Sequence, residues 1–227
     1  MNPLPIWIKI CANTSLEDAL MAAEVGADAV GFVFAPSPRR VTAAQVAEIV
    51  PHLPVTLEKI GVFADAALDE IVSTVETCRL TGVQLHFDAA SELPALLRER
   101  LGPELRILSV VHFGAGSGEQ QAARIADLDR NPHVDAVLVD SWTETIVGGT
   151  GVIFDWAAAR KNFFRDAKAC KRIAAGGLNP DNVAKAIATL HPWGVDVVSG
   201  VEAAPGRKDK AKVLEFVTRA RAEKMTS

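Results

Sequence analysis

The sequence predicts an α/β fold, a closed (β/α)8 barrel, on three observations. Short runs of Val, Ile, Leu and Phe alternate with segments of helical spacing, and the alternation recurs eight times in 227 residues. The short runs are apolar throughout, as strands must be when helices cover one face and a packed interior the other. No G-x-G-x-x-G follows the first strand, so the rival doubly wound open sheet lacks its usual fingerprint. Units of about 20–30 residues are the minimal inventory for such a barrel. No linker or low-complexity segment divides the chain, which predicts a single domain over residues 1–227.

The elements follow in order. Ile6 to Ile10 is strand 1, and Ser15 caps the next helix, with Asp18 where a capping-box acid would stand. Gly26 stops that helix, and Ala29 to Phe34 is strand 2. A Pro-rich loop through Pro36, Pro38, Arg39 and Arg40 precedes a helix that Thr42 caps and that runs through Val50. Thr56 to Phe63 is strand 3 and Ala67 to Thr77 helix 3. Gly82 to Leu85, Arg106 to Val111 and Asp135 to Val139 are strands 4, 5 and 6, with helices over Leu93 to Leu101 and Glu119 to Leu128 between them. A long loop, Asp140 to Phe154, leads to a helix from Asp155 to about Phe164; its Gly148-Gly149-Thr150-Gly151 has the small residues of a lid. Arg172 to Ala175 and Val195 to Val198 are strands 7 and 8, followed by helices from Asn182 to Leu190 and from Asp209 to Ala222. Arg221 to Ser227 is polar and expected to fray.

Hydrophobic residues make up 49% of the chain, enough for one large core. A net charge of −4 argues against a nucleic-acid or membrane-surface binder. It leaves room for an anionic small molecule, because local backbone N–H groups hold phosphate without a net basic surface. Cysteines at 11, 78 and 170 are an odd and scattered set, neither a disulfide framework nor a metal cluster. A reducing cytoplasm is the expected compartment. The N-terminus has no basic-then-apolar leader, and no apolar run reaches spanning length. Monomer and homodimer both stay open.

The stretch from Gly176 to Lys210 is the most informative for chemistry. Twice, a short apolar strand runs into small residues and then a helix, at Gly176-Gly177 and at Ser199-Gly200. Such turns let a ligand approach the main chain, and a helix start adds free N–H donors. Two side by side make a phosphate site, which in barrels recurs after strands 7 and 8. The alternative is that these glycines only make tight turns.

Function in a barrel sits at the C-terminal ends of the strands. There stand Cys11, Arg39, His86, His112 and Asp140. Cys11 and Asp140, across the mouth from one another, suit divided acid–base labour. A buried structural thiol is the alternative for Cys11, and it is the reading for Cys78 and Cys170. Lys9 shares the strand face of Cys11 and is expected to favour its thiolate. Arg39, stiffened by Pro36 and Pro38, suits a bidentate grip on a carboxylate; a solvated surface charge is the alternative. His86 and His112 are metal-ligand types, but no third ligand accompanies them at a convincing spacing, so no metal is expected.

In order along the chain stand Lys9-Ile10-Cys11, Ala27 to Phe34, Ser37-Pro38-Arg39, Gly61-Val62-Phe63, Val83-Gln84-Leu85-His86, Val139-Asp140-Ser141, Gly148 to Gly151 with Phe154-Asp155-Trp156, Ala175 to Val183, and Val195 to Gly206. Together these resemble the phosphoribosylanthranilate isomerase family of tryptophan biosynthesis, the third step from chorismate. The resemblance implies an Amadori rearrangement of an aminated ribose 5-phosphate, an aldose–ketose isomerisation. It implies Asp140 as general acid, Cys11 as general base, Arg39 on the anthranilate carboxylate, and Gly176, Gly177, Ser199 and Gly200 on the phosphate, with His86 lining the pocket. It implies no cofactor and no metal. Two positions depart from the family: Lys-Ile-Cys-Gly becomes Lys9-Ile10-Cys11-Ala12, and Gln-Leu-His-Gly becomes Gln84-Leu85-His86-Phe87. Glycine there serves a positive φ or a close approach to substrate, so Ala12 is expected to cost about 1 kcal/mol or to narrow the pocket, and Phe87 adds bulk near strand 4. An isomerase of another aminated sugar phosphate is the alternative, although the histidine-pathway enzyme resembles an Asp/Asp pair. Indole-3-glycerol-phosphate synthase would want a Lys/Glu set. A non-catalytic phosphate-binding barrel would need neither Cys11 nor Asp140.

Overall fold

In the computed structural model, which describes residues 5–87, 90–112, 118–140, 156–164 and 170–223, eight parallel strands close into a ring. They are β1 (Trp7–Ile10), β2 (Ala29–Val33), β3 (Glu58–Phe63), β4 (Gly82–Leu85), β5 (Arg106–His112), β6 (Ala136–Asp140), β7 (Lys171–Ala175) and β8 (Gly194–Val197). Each pairs with its neighbour in sequence, and β1 closes onto β8 with Lys9 beside Asp196. The connecting helices are α1 (Leu16–Glu24), α2 (Ala43–Ile49), α3 (Leu68–Cys78), α4 (Leu93–Leu101), α5 (Gly118–Arg130), α6 (Trp156–Phe163), α7 (Val183–Leu190) and α8 (Lys210–Ala222). The order and type of these elements are those the periodicity predicts. The lid expectation on Gly148 to Gly151 and the fraying of residues 224–227 lie outside the described residues.

Three details differ from the sequence reading. A 3-10 turn at Ser199–Val201 and a hairpin of β9 (Glu202–Ala204) and β10 (Arg207–Lys208) stand between β8 and α8. Gly206, at φ +78°, makes the hairpin turn, and Thr14 Oγ1 donates to its carbonyl at 2.6 Å. Asp18 does not complete a capping box. Ser15 does cap α1, but the Asp18 carboxylate accepts from Lys208 N at 3.1 Å and ties α1 to the hairpin. The full box is at α2, between Thr42 and Gln45. Arg221 is anchored, not frayed: it donates to Ile6 O, to Gly26 O and to Asp28.

That anchor recurs four units later. Asp28, before β2, accepts from Ile8 N of β1 at 2.7 Å and from Arg221 of α8 at 2.8 Å. Asp135, before β6, accepts from Ile107 N of β5 at 2.7 Å and from Arg98 of α4 at 2.8 Å. In both halves a carboxylate stitches the start of one strand to the next, and an arginine from the preceding helix neutralises it.

The core has two layers, as a helix-clad barrel requires. Ile8, Ile10, Val30, Phe32, Val83, Leu85, Val137 and Val195 pack outward against the helices. Trp7, Ile60, Leu108, Leu138 and Ile173 fill the barrel interior. Trp193 closes its N-terminal end, stacked on Trp7 at 5.1 Å with Lys171 Nζ 4.3 Å from its ring centre.

Above that apolar floor the interior turns polar. Lys9, fully buried, donates to Asp196 Oδ1 and to Gln84 Oε1, each at 2.8 Å. Removing one partner of such a pair leaves an uncompensated charge in the core. Asp196→Ala is therefore expected to cost about 3–5 kcal/mol of stability in urea unfolding. A cost below about 1 kcal/mol would mean that Lys9 is neutral or finds water instead.

Candidate active site

Because all eight strands run the same way, the residues that follow them share one end of the barrel. Cys11 follows β1, Arg39 lies beyond β2, His86 follows β4, His112 and Asp140 end β5 and β6, Gly176-Gly177 follows β7, and Ser199-Gly200 follows β8. The sequence-predicted site residues are thus brought to one mouth.

Cys11 is buried, with its backbone N–H on Val197 O at 2.9 Å. Burial pushes its thiol up, and that outweighs the opposing pull of the Lys9 and Lys208 charges; Asp196 adds to the rise. The expected help from Lys9 is present, but burial outweighs it. The thiol's place is set by a residue whose role the sequence reading missed. A Cβ on Gly31 would lie 2.5 Å from Cys11 Sγ and 3.1 Å from Lys9 Cε. A glycine midway along an otherwise bulky strand was the available signal.

The two glycine turns do meet. Gly176 and Gly177 have φ of +81° and +64°, which non-glycine residues adopt reluctantly. A Cβ on Gly200 would lie 1.9 Å from Leu178 O and 2.9 Å from Asn179 Cα, so the loop after β7 rests directly on the turn after β8. Asn182 holds that loop, donating from Nδ2 to Gly177 O at 2.9 Å and accepting from Asn179 N at 2.9 Å. Asn179 and Asn182 are shaping residues that the motif contains but that the sequence reading gave no role.

Arg39 is gripped from below. Its Nε and Nη2 fork onto Glu202, the Nη2 contact at 2.7 Å. Glu202 also accepts from Gly206 N at 3.2 Å and lies 3.5 Å from Lys208 Nζ. Two cations thus share one carboxylate, Lys208 with its side chain buried. Glu202 too was missed as a site residue; it is the hairpin that brings it under Arg39.

His86 and His112 meet edge to face at 4.9 Å between ring centres. Their ligand atoms and those of Asp140 all lie within 4.8 Å of one another. Burial first, then the neighbouring His112 and Lys9 charges, lower the His86 pKa to about 4, so its ring is neutral near pH 7. A cavity of about 560 Å³ borders His112, with Phe87, Gln121 and Arg124 among its other lining residues.

A family model described as N-(5'-phosphoribosyl)anthranilate isomerase matches residues 8–219. The chain belongs to that family. The N-(5'-phosphoribosyl)anthranilate isomerase of Geobacter sp. (strain M21) is 43% identical over 216 residues, 94% of this chain and 97% of the relative. That of Geobacter metallireducens is 41% identical, over 96% of this chain and 100% of the relative. Among solved structures, phosphoribosyl anthranilate isomerase from Thermotoga maritima superposes with a TM-score of 0.80 at 35% identity, covering 96% of this chain and 99% of that one. Another isomerase structure, in complex with reduced 1-(o-carboxyphenylamino)-1-deoxyribulose 5-phosphate, gives 0.78 at 33% identity, over 96% and 99% of the two chains.

Against the family pattern, Ala12 sits where the motif has glycine, and its φ is +61°. Of the two expectations for Ala12, the angle supports strain: the left-handed region costs an alanine about 1–2 kcal/mol. Phe87 lines the cavity, as expected of added bulk at the mouth. Ala12→Gly should relieve the strain but loosen the unfolded chain, a net gain of about 0.5–1 kcal/mol in denaturant unfolding. A loss of stability would show that the Ala12 methyl packs too well to give up.

Proposed function

We propose that the chain isomerises N-(5'-phosphoribosyl)anthranilate to 1-(o-carboxyphenylamino)-1-deoxyribulose 5-phosphate, with Asp140 as general acid and Cys11 as general base. One observation carries the reading: in a chain of this family, Cys11, Asp140, Arg39 and two touching glycine turns share one mouth of the closed barrel. The solved relative in complex with the reduced ribulose phosphate supports the same class of ligand.

The chemistry needs only proton transfers. Asp140 gives a proton to the furanose ring oxygen, and the C1–O bond opens to a Schiff base. Cys11 takes the C2 proton, leaving an enolamine that tautomerises to the ketone. C1 is reduced as C2 is oxidised, so the step is redox-neutral within the substrate. The phosphate lies on Gly176, Gly177, Ser199 and Gly200, mainly through main-chain groups. Arg39, held rigid by Glu202, offers Nη1 to the anthranilate carboxylate. His86 lines the pocket as a neutral ring. A single domain over 1–227, a cytoplasmic location and a monomeric or homodimeric state complete the proposal. One similar structure, at TM-score 0.77 and 32% identity, is of monomers generated from the dimeric T. maritima enzyme. No helix among the described residues is long and apolar enough to cross a membrane.

Steady-state assays following loss of anthranilate-adduct fluorescence test the roles. Cys11→Ser and Asp140→Asn should each lower kcat by about 10²-fold or more with little change in KM; full turnover in either variant would remove that residue from the chemistry. A base acts deprotonated, and burial raises the Cys11 pKa. The rising limb of kcat/KM should therefore lie above the pH of about 8.5 at which an ordinary thiol titrates. A plateau already reached by pH 7 would mean another base. Arg39→Ala should raise KM by about 10-fold or more, since bonds to charged groups contribute about 1.5–3 kcal/mol. A lower melting temperature with unchanged KM would reduce Arg39 to a structural partner of Glu202.

A further inference from the structure

His112 belongs to none of the sequence pieces that match the family, and the isomerisation as derived does not use it. It stands on the middle one of three adjacent strands, with His86 after β4 on one side and Asp140 on β6 on the other; His112 and Asp140 are direct partners in the β5–β6 register. Linear spacing hid this set, because 25 residues lie between His86 and His112 and 27 between His112 and Asp140. Closing the sheet removes those distances. Moreover, Nδ1 of His112 is buried with no hydrogen-bond partner among the described residues, an orphaned acceptor or donor in need of a ligand.

The geometry points to a divalent transition-metal site formed by His86, His112 and Asp140, with zinc as the fitting ion, whose occupancy inhibits the isomerase. Two imidazoles and one carboxylate suit first-row ions of borderline softness and leave coordination positions open. Ligand atoms within 4.8 Å of one another need only draw in to the edges of about 3.3 Å that bonds of about 2.0–2.1 Å to a tetrahedral ion require. Gln84 Nε2 lies 3.4 Å from His86 Nδ1, a contact at the limit of hydrogen-bond length, so turning that ring toward an ion sacrifices little. Of the three proposed ligands, His112 borders a cavity. Once ligated, the Asp140 carboxylate cannot carry a proton to the ring oxygen, so bound metal and catalysis exclude one another. This last consequence rests on the acid role of Asp140; binding itself does not.

The test uses the full chain, stripped with a chelator. Zinc is titrated against a chromophoric competitor, and cobalt is used as a spectroscopic substitute. The expected result is one zinc ion per chain, bound at least about 10-fold more weakly in His112→Asn and in His86→Asn. Cobalt should show ligand-field bands without the intense near-ultraviolet band of a thiolate ligand. Zinc should inhibit wild-type turnover, reversibly with chelator, and require about 10-fold more ion to do so in His112→Asn. Circular dichroism confirms that each variant is folded, and His112→Phe, which keeps the bulk, replaces any that is not. Absence of zinc binding, binding that survives loss of His112, or a thiolate band pointing to Cys11 would each overturn the site. Binding at His112 without inhibition would overturn the inhibitory role and, with it, question Asp140 as the acid.

Discussion

The buried Lys9–Asp196 pair is the constraint around which the rest of the barrel is arranged. It sits where β1 and β8 must meet for the ring to close, and Gln84 of β4 reaches across to complete the ammonium's partners. The ion pair divides the interior into an apolar floor, capped by Trp193, and a polar mouth that holds Cys11. Burial works to deprotonate Lys9, while the charges of Asp196 and Cys11 hold its proton, with a net upward shift. A charge so placed is costly unless fully partnered, so closure of the sheet and electrostatics of the site are one problem with one solution. Cys11 remains a reluctant acid because burial outweighs the pull of Lys9, and the Asp196 charge adds to the rise.

Close packing of backbone, more than any single side chain, makes the mouth. Gly31 leaves room for the Cys11 sulfur, and Gly200 lets Leu178 O approach where no Cβ fits. The asparagines of the loop after β7 then lock the Gly177 turn by bonding its carbonyl and one another. Rigidity of this kind suits the proposed phosphate site, because peptide dipoles stabilise an anion only if they do not have to reorganise.

The hairpin after β8 is a second organising device. It places Glu202 under Arg39, Gly206 against Thr14 and Lys208 against Asp18. Through these contacts the loops beyond β1, β2 and β8 become one rigid rim. Arg39 is thereby held in one orientation by Glu202, which spares the ordering cost of a free side chain in the proposed grip on substrate.

By itself the sequence determined the barrel. The eightfold alternation of apolar runs and helical spacing survives because both periods are local properties of the chain. It also placed the candidate acid–base residues, Cys11 and Asp140, and the two glycine turns at strand ends, which are readable from the sequence. At Ala12 the sequence left a positive φ and a narrowed pocket both open, and the φ of +61° supports the first. Only tertiary structure decided what depends on residues far apart in the chain. The pairing of Arg39 with Glu202, the Lys9–Asp196–Gln84 cluster, the clearance at Gly31 and the meeting of His86, His112 and Asp140 all join segments that no periodicity links. Likewise, the sign of the Cys11 shift required knowing its burial and the charges around it. Spacing along a chain encodes which face a side chain takes, whereas closure of the sheet selects which faces meet.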